Sequence, residues 1–392
     1  MLINIKSDYQ LMKFSFGSER NELKKFEELS LDERSIVFYS ENENSMLIFE
    51  SLIDELTTIH DMDICYVTSS KNELSLMKSK NRVKTFYIGD GIVRTKFFLN
   101  LKAKIMIMTM PDLETFHIKR SKVYPVHYVY MFHSMVSTHL VYQKSAFDNF
   151  DTILCVGDYQ IQEIRNTEKE YNLKPKNLIK FGYSHLDNLL EKYPQENFGS
   201  KDNTNVLLAP SWGKDGIFET ISEDIIEILL KNKYKVTLRP HPMSQKKSKK
   251  KIEKIKKRFS NQDDFIFEDN ILNFDSFFSS SLMITDWSGS ALEFSFAFKK
   301  PVIFIDVPKK TNNPEFEKIS LIPIEVSIRE KIGKILFPSN LDLLPNEIEM
   351  LISQTKKNQP KLLEIRNRTI FHVNESKKFG AESIVELLNK NL

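Results

Sequence analysis

Hydroxyl, acidic and glycine residues cluster in Ile284–Phe294, ITDWSGSALEF, where an apolar run leads through a turn of small residues into a helix-forming segment. Such a turn places backbone N–H groups and hydroxyls at a helix N-terminus, which favours the binding of phosphate oxygens. Glu293 would lie one turn into the helix and could accept hydrogen bonds from a ribose. The same residues could instead form a structural capping box, S-x-x-E, with Ser290 as the N-cap. The candidate ligand-binding residues here are Asp286, Ser288, Gly289, Ser290 and Glu293.

A second candidate segment is Thr237–Pro242, TLRPHP, in which an apolar run ends in an arginine and a histidine held between prolines. Arg239 could bind a phosphate through two parallel hydrogen bonds. His241 could donate to a bridging or leaving phosphate oxygen. The histidine could also lie in an exposed loop without a role. We favour function, because this loop should meet the Ser288–Ser290 turn at the same edge of a sheet.

The segment Phe132–Ser137, FHSMVS, follows another apolar run and contains the best general-base candidate, His133. A histidine on an apolar strand is more often a satisfied core residue, but a position at the carboxyl end of the strand favours a place facing a cleft. Ser134 and Ser137 could bind an acceptor or a phosphate. His139 is a weaker alternative to His133.

A further loop, Ala209–Gly213, APSWG, should line the same crevice at the end of its own strand. Ser211 and Lys214 could contact a phosphate or an acceptor. Trp212 could equally be a packing residue.

Other kinds of site lack sequence support. The chain contains no HExxH or CxxC motif, and Asp286 alone is weak support for Mg²⁺, so we expect no cofactor. No Walker motif or GxGxxG is present, which argues against P-loop and nicotinamide chemistry. Cys65 and Cys155 each lie in an apolar run, which predicts buried, reduced thiols.

The apolar runs before these loops alternate with longer amphipathic segments along the chain. Most of the runs are apolar on both faces, which is typical of parallel strands covered by helices on both sides. The pattern predicts an α/β fold with doubly wound sheets. The predicted strands are Ile36–Ser40, Ile64–Thr68, Lys84–Ile88, Lys104–Met108, Tyr128–Phe132 and Thr152–Val156, then Val206–Ala209, Lys235–Leu238, Phe265–Phe267, Leu282–Thr285 and Val302–Ile305.

A chain of 392 residues is too long for one ordinary core and fits two domains. The polar segment Glu191–Asn203 is the predicted linker, so we expect domains at residues 1–193 and 204–392. A cleft between the carboxyl ends of their strands would be the ligand site. The first 31 residues could contain a helix that packs on the first domain, or an arm that contacts a partner.

Charge argues against nucleic acid as a partner, since 56 basic and 53 acidic residues leave a net charge of only +3. The basic run Lys246–Arg258, KKSKKKIEKIKKR, could be a solvated helix face or a patch for anionic lipid headgroups or a polyanionic acceptor. No run of about 18 apolar residues predicts a membrane-spanning helix. We therefore expect a cytoplasmic protein that could reach the inner face of the cell membrane as a peripheral protein.

Six segments of the chain, in their order along the sequence, resemble the CDP-glycerol glycerophosphotransferase family of teichoic acid and related surface-polymer synthesis. They span roughly residues 125 to 306 and read FHSMVS, AFDNFDTILCVG, FGYSHLDNLL, LLAPSWG, TLRPHP and TDWSGSALEFSFAFKKPVIFID. The resemblance implies two Rossmann-like domains facing across a cleft, the GT-B arrangement, with the acceptor on the first and the nucleotide donor on the second. It also implies transfer of a polyol phosphate from a CDP-activated donor to a hydroxyl of a glycan or lipid-linked acceptor.

The resemblance assigns roles to particular residues. His133 matches the family's proposed base, and His241 matches the histidine that contacts the donor pyrophosphate. Ser288 and Ser290 fall in the family's phosphate turn. In the implied displacement, His133 takes the proton of the acceptor hydroxyl, while the two serines, His241 and Arg239 stabilise the departing nucleotide.

Rival functions remain open at this point. The same site parts would serve a GT-B glycosyltransferase that uses a nucleotide sugar for capsule or lipopolysaccharide synthesis. A sugar-nucleotide epimerase should need more acidic residues in the cleft. A non-catalytic nucleotide-binding scaffold would bind without turnover, and the presence of both His133 and His241 argues against it.

Overall fold

The computed structural model describes residues 17–114, 118–193, 204–270 and 272–390, which form two all-parallel sheets. The first sheet has the strand order β3-β2-β1-β4-β5-β6-β7 and the second has the order β10-β9-β8-β11-β12-β13. The strands of the first sheet are β1 Ile36–Ser40, β2 Ile64–Thr68, β3 Val83–Tyr87, β4 Ile105–Met108, β5 His127–Met131, β6 Thr152–Cys155 and β7 Asn177–Lys180. Those of the second are β8 Asn205–Leu208, β9 Lys235–Leu238, β10 Phe265–Phe267, β11 Leu282–Thr285, β12 Val302–Ile305 and β13 Gly333–Leu336.

Helices connect and cover these strands, as parallel pairing requires. The helices beside the first sheet are α1 Glu43–Thr58, α2 Glu73–Met77, α3 Ile92–Asn100, α4 Thr138–Val141, α5 Asp158–Glu170 and α6 Ser184–Lys192. Those that follow β8 are α7 Ile217–Thr220, α8 Ser222–Lys231, α9 Pro242–Lys247, α10 Lys249–Arg258, α11 Asp275–Ser279, α12 Ser290–Phe298, α13 Ile324–Ser327, α14 Arg329–Ile332, α15 Leu344–Thr369 and α16 Ser376–Asn389. Short 3₁₀ helices occupy Phe316–Ile319 and Pro338–Leu343.

The predicted strands are all present, with ends that differ by a residue in several cases, but two edge strands escaped prediction. The side chains of β7, NLIK, are exposed or half-buried. β13, GKIL, buries only its last residue fully. An edge strand lacks the two-sided apolar cover that makes a central strand visible in a sequence.

The helical residues 17–27 pack on the first sheet's domain. Leu23 and Phe26 are buried there, and the ring of Phe26 makes edge-to-face contacts with Phe86 and Phe97 at centroid distances of 5.4 and 5.2 Å. This confirms the packing interpretation for that segment, while residues 1–16 lie outside the described residues. Cys65 and Cys155 are buried free thiols, as predicted.

The carboxyl-terminal helix α16 returns to the first domain. A Cβ on Gly380 would lie 2.4 Å from the ring of Phe181, so α16 approaches the loop after β7 closely. The carboxylate of Asp187 accepts hydrogen bonds from the backbone N–H groups of Asn374 and Ser376 at 2.7 and 2.9 Å. The division at residues 193 and 204 stays a prediction, and residues 194–203 of the predicted linker lie outside the described residues.

Within the described ranges, no helix is both long enough and apolar enough to cross a membrane.

Candidate active site

The loop after β5 carries His133 at the carboxyl end of the first sheet. Its Nδ1 lies 3.3 Å from the carbonyl oxygen of Thr109, so Nδ1–H donates there and Nε2 keeps a free lone pair. The residue is exposed, yet desolvation by the surrounding protein lowers the pKa of its imidazole, against a smaller opposing effect of the Thr109 hydrogen bond. His133 is therefore neutral near pH 7, with Nε2 ready to accept a proton.

The loop after β9 carries His241 at the carboxyl end of the second sheet. Its Nδ1 accepts a hydrogen bond from the backbone N–H of Met243 at 3.0 Å, so the neutral ring carries its proton on Nε2. Burial, together with smaller effects of Lys310 and His133, lowers the pKa of His241 to about 3. The two imidazoles are close enough for His133 to affect the pKa of His241. His133 has a free lone pair on Nε2, and His241 has a free N–H on Nε2.

The turn for which phosphate binding was predicted lies between β11 and α12. The hydroxyls of Ser288 and Ser290 lie 2.7 Å apart, and α12 begins at Ser290 after Gly289, with no side-chain cap. The alternative capping box is therefore not formed. A Cβ on Gly289 would lie 2.2 Å from Oγ of Ser134, so the first domain's loop packs directly on this turn.

Glu293 and Tyr183 connect the two domains behind the histidines. The Tyr183 hydroxyl lies 2.8 Å from Oε1 of Glu293 and 3.0 Å from the carbonyl oxygen of His133. Burial raises the pKa of Glu293, and even with the opposing effects of the Tyr183 hydrogen bond and the charge of Arg239 the pKa is about 7. Tyr183 was not predicted as a site residue. Its position in the FGYSHLDNLL motif was the available signal.

Arg239 differs from its predicted place at a phosphate. Its Nη1 donates to Oε2 of Glu268 at 2.8 Å, and to the carbonyl oxygens of Asn270 and Asn273. Its guanidinium lies over the rings of Phe274 and Phe277, 4.9 and 5.1 Å from their centroids. Glu268 already neutralises this charge in a half-buried setting, so Arg239 links the loop after β9 to the segment after β10.

Asp286 and Ser211 are buried beneath the loops of the site. Asp286 is buried, and its carboxylate accepts from the backbone N–H groups of Ser211 and Ile217 at 2.7 and 2.9 Å. These hydrogen bonds fix the loop after β8. Both carboxylate oxygens are thereby engaged by the protein, in contrast to the predicted contact with a ligand.

Ser137 is likewise buried, unlike Ser134, which is half-buried beside the phosphate turn. The backbone N–H of Ser137 donates to Oε1 of Glu325 at 2.7 Å. His139, the weaker base candidate, has Nδ1 3.4 Å from Oε1 of Glu163 and Nε2 3.1 Å from the carbonyl oxygen of Leu321, so both ring nitrogens are engaged by the protein. These residues join the domains beside the cleft.

A cationic cluster near His241 was not predicted. The Nζ atoms of Lys310 and Lys247 lie 4.0 and 4.9 Å from the ring centroid of Trp212, whose own centroid is 6.3 Å from that of His241. Burial lowers the pKa of Lys310 to about 8, partly offset by Asp286. Sequence spacing gave no signal for this cluster, because Trp212 and Lys310 lie in the loops after β8 and β12 and Lys247 ends α9.

The basic run adopts two helices, α9 and α10, with Ser248 between them. Lys254 and Arg258 pair with Glu223 at 3.0 and 2.6 Å. Ile252 and Ile255 face the core. The lysines that stay exposed are Lys246, Lys247, Lys249, Lys250 and Lys257, together with the paired Lys254.

Within the part of the chain that is described, no three histidine, cysteine or acidic side chains are placed to hold a metal ion.

Comparison with solved structures confirms the predicted fold. The UDP-GlcNAc 2-epimerase of Methanocaldococcus jannaschii, in complex with UDP-GlcNAc and UDP, aligns with a TM-score of 0.57 at 13% identity, over 91% of this chain and 99% of that chain. A glycosyltransferase from Rickettsia africae aligns with a TM-score of 0.56 at 10% identity, over 91% of this chain and 100% of that one. At these identities the likeness concerns the fold alone, two Rossmann-like domains facing across a cleft.

Sequence comparison identifies the family. Minor teichoic acid biosynthesis protein GgaB of Bacillus subtilis is 26% identical over an alignment of 198 residues. The match covers 43% of this chain and 20% of GgaB, so it spans a fifth of that relative's length. The model of the CDP-Glycerol:Poly(glycerophosphate) glycerophosphotransferase family matches residues 23–311, which include every loop of the site described above. The chain therefore belongs to the CDP-glycerol:poly(glycerophosphate) glycerophosphotransferase family.

Proposed function

We propose that the protein transfers glycerol phosphate, or a similar polyol phosphate, from a CDP-activated donor to a hydroxyl of a bacterial surface glycan or lipid-linked acceptor. The observation that carries this proposal is the pair of imidazoles, His133 and His241, that follow the carboxyl ends of β5 and β9 in the two sheets. His133 offers a free lone pair and His241 a free N–H, as a displacement at phosphorus between two oxygens requires. Family membership supplies the chemical class of the donor.

In the proposed reaction, the acceptor oxygen attacks the β-phosphorus of the donor and its proton moves to Nε2 of His133. The bond between the β-phosphorus and the oxygen that bridges to the α-phosphate breaks, and CMP leaves with that oxygen. The Nε2–H group of His241 donates to the departing oxygen as negative charge develops there. Because its pKa is low, His241 acts as a neutral hydrogen-bond donor until the phosphate binds.

The turn between β11 and α12 is proposed to bind the donor phosphates. It offers the hydroxyls of Ser288 and Ser290 and the N-terminus of a nine-residue helix, whose dipole favours anions. Ser134 packs on Gly289 at this turn, so an acceptor bound beside Ser134 would lie next to the donor. Glu293 remains the proposed ribose ligand, since its carboxylate lies one turn further along α12.

Binding to a nucleotide panel tests the proposal. Calorimetric titration with CMP, CDP-glycerol, CDP-ribitol, UDP and GDP should show selective binding of the cytidine compounds, and transfer assays then follow with CDP-glycerol. Selective binding of uridine or guanosine compounds would move the function to glycosyl transfer on the same fold. Absence of binding to all of them would favour a non-catalytic scaffold.

We also propose that the exposed lysines of Lys246–Arg258 other than Lys247 approach an anionic lipid surface, where a lipid-linked acceptor would lie. Cosedimentation with vesicles tests this proposal. Binding to phosphatidylglycerol, but not to phosphatidylcholine, should weaken when Lys249 and Lys250 become glutamate. Lys356 and Lys357, an exposed pair on α15, provide the matched control. Equal binding by both double variants would contradict the proposal.

A further inference from the structure

The donor site needs a cation for the nucleotide phosphate, and Arg239 is committed to Glu268. We propose that Lys310, supported by Lys247 and Trp212, is the residue that binds the phosphate of the nucleotide. This inference rests on the proposed function, because it names the cation of the same donor site.

The position of Lys310 is the first argument. It lies shortly after β12 ends at Ile305, while Trp212 follows β8 and His241 follows β9. These strands are parallel members of one sheet, so the three loops emerge at the same edge, which faces the first domain. Trp212 links Lys310 to the imidazole proposed to contact the leaving oxygen, since its ring centroid lies 4.0 Å from Nζ of Lys310 and 6.3 Å from the ring centroid of His241.

The second argument is that the charge of Lys310 lacks compensation. Among the described residues, Lys310 forms no ion pair and no side-chain hydrogen bond, although it is half-buried. The carboxylate of Asp286, which acts on its pKa, already accepts two backbone hydrogen bonds. A partly desolvated ammonium without a partner is costly, and an anion that supplies charge and acceptor oxygens removes that cost.

Trp212 supplies the third argument, because it gathers two cations at one place. Lys310 and Lys247 both lie against its indole ring, although like charges repel. Cation–π contact with the ring offsets part of this repulsion and holds both side chains in place. Two ammonium groups, beside the Nε2–H of His241, match the charge and hydrogen-bonding needs of a nucleotide phosphate.

Calorimetric titration with CMP and with cytidine separates phosphate recognition from base recognition. Lys310→Met should weaken CMP binding by about 10- to 100-fold, as expected for loss of a charge-assisted hydrogen bond. Binding of cytidine, which has no phosphate, should be unchanged. Lys310→Arg should retain most of the CMP affinity. Lys309→Met is the matched control, because Lys309 is exposed and lies against Phe316.

The possible results distinguish this inference from the proposed function. If the wild-type protein binds CMP and Lys310→Met binds it equally well, the role of Lys310 is refuted and the function stands. An equal loss of CMP and cytidine binding would mean that Lys310 only supports the fold, which also refutes its role. If the wild-type protein binds no cytidine compound, the proposed function fails first, and the inference fails with it.

Discussion

Replacing Glu293 by glutamine should stabilise the protein at pH 8 but not at pH 5. Burial raises the pKa of Glu293 from its ordinary value of 4.5 to about 7. Between these values the folded protein holds a proton that the unfolded chain has lost, so stability falls as pH rises through this window. Each pKa unit corresponds to about 1.4 kcal/mol, so the ionised carboxylate costs up to about 3 kcal/mol above pH 7.

Glutamine keeps an oxygen that can accept the hydrogen bond of Tyr183 and removes the ionisation. The difference in unfolding free energy between Glu293→Gln and wild type should therefore grow by about 2–3 kcal/mol from pH 5 to pH 8. Urea denaturation at both values measures it, with the exposed Glu330→Gln as a control for loss of a negative charge. A difference that does not change with pH would refute the reasoning. If Glu293 binds the ribose, the stabilised variant should also bind CMP more weakly.

Three further predictions concern the site. His133→Ala should lower transfer by about 100-fold or more while CMP binding changes little, and a large loss of CMP binding would contradict this role. Wild-type activity should rise with pH through a pKa below 6.5, because only the neutral His133 ring accepts a proton. Gly289→Ala should weaken nucleotide binding, because the added Cβ would lie 2.2 Å from Oγ of Ser134. A second substitution, Ser134→Ala, should restore nucleotide binding; if binding stays weak, the contact with Ser134 is not the cause of the loss. Arg239→Gln should lower the melting temperature, because it leaves the half-buried Glu268 carboxylate without its cationic partner. Unchanged stability with lost CMP binding would reinstate Arg239 as a phosphate ligand.

Much of the fold could be predicted from the sequence because central parallel strands are buried on both faces. Runs such as ICYVT and LMIT are apolar throughout and bounded by turn residues, which identifies them without tertiary information. Parallel pairing then requires that their carboxyl ends meet at one edge. That rule predicts from the sequence that His133, His241 and the Ser288–Ser290 turn line one cleft.

The edge strands and the charged residues of the site required the tertiary structure. β7 and β13 are covered on fewer sides, so their sequences carry a weaker apolar pattern. Arg239 has the residue type and position of a phosphate ligand, yet Glu268 on another loop takes its charge. Sequence alone determined which residue types stand at the carboxyl ends of the strands. Packing decided which of these residues keep a charge without an ionic partner, as Lys310 does. Burial and ion pairing depend on side chains that are distant along the chain, so the sequence alone does not show them.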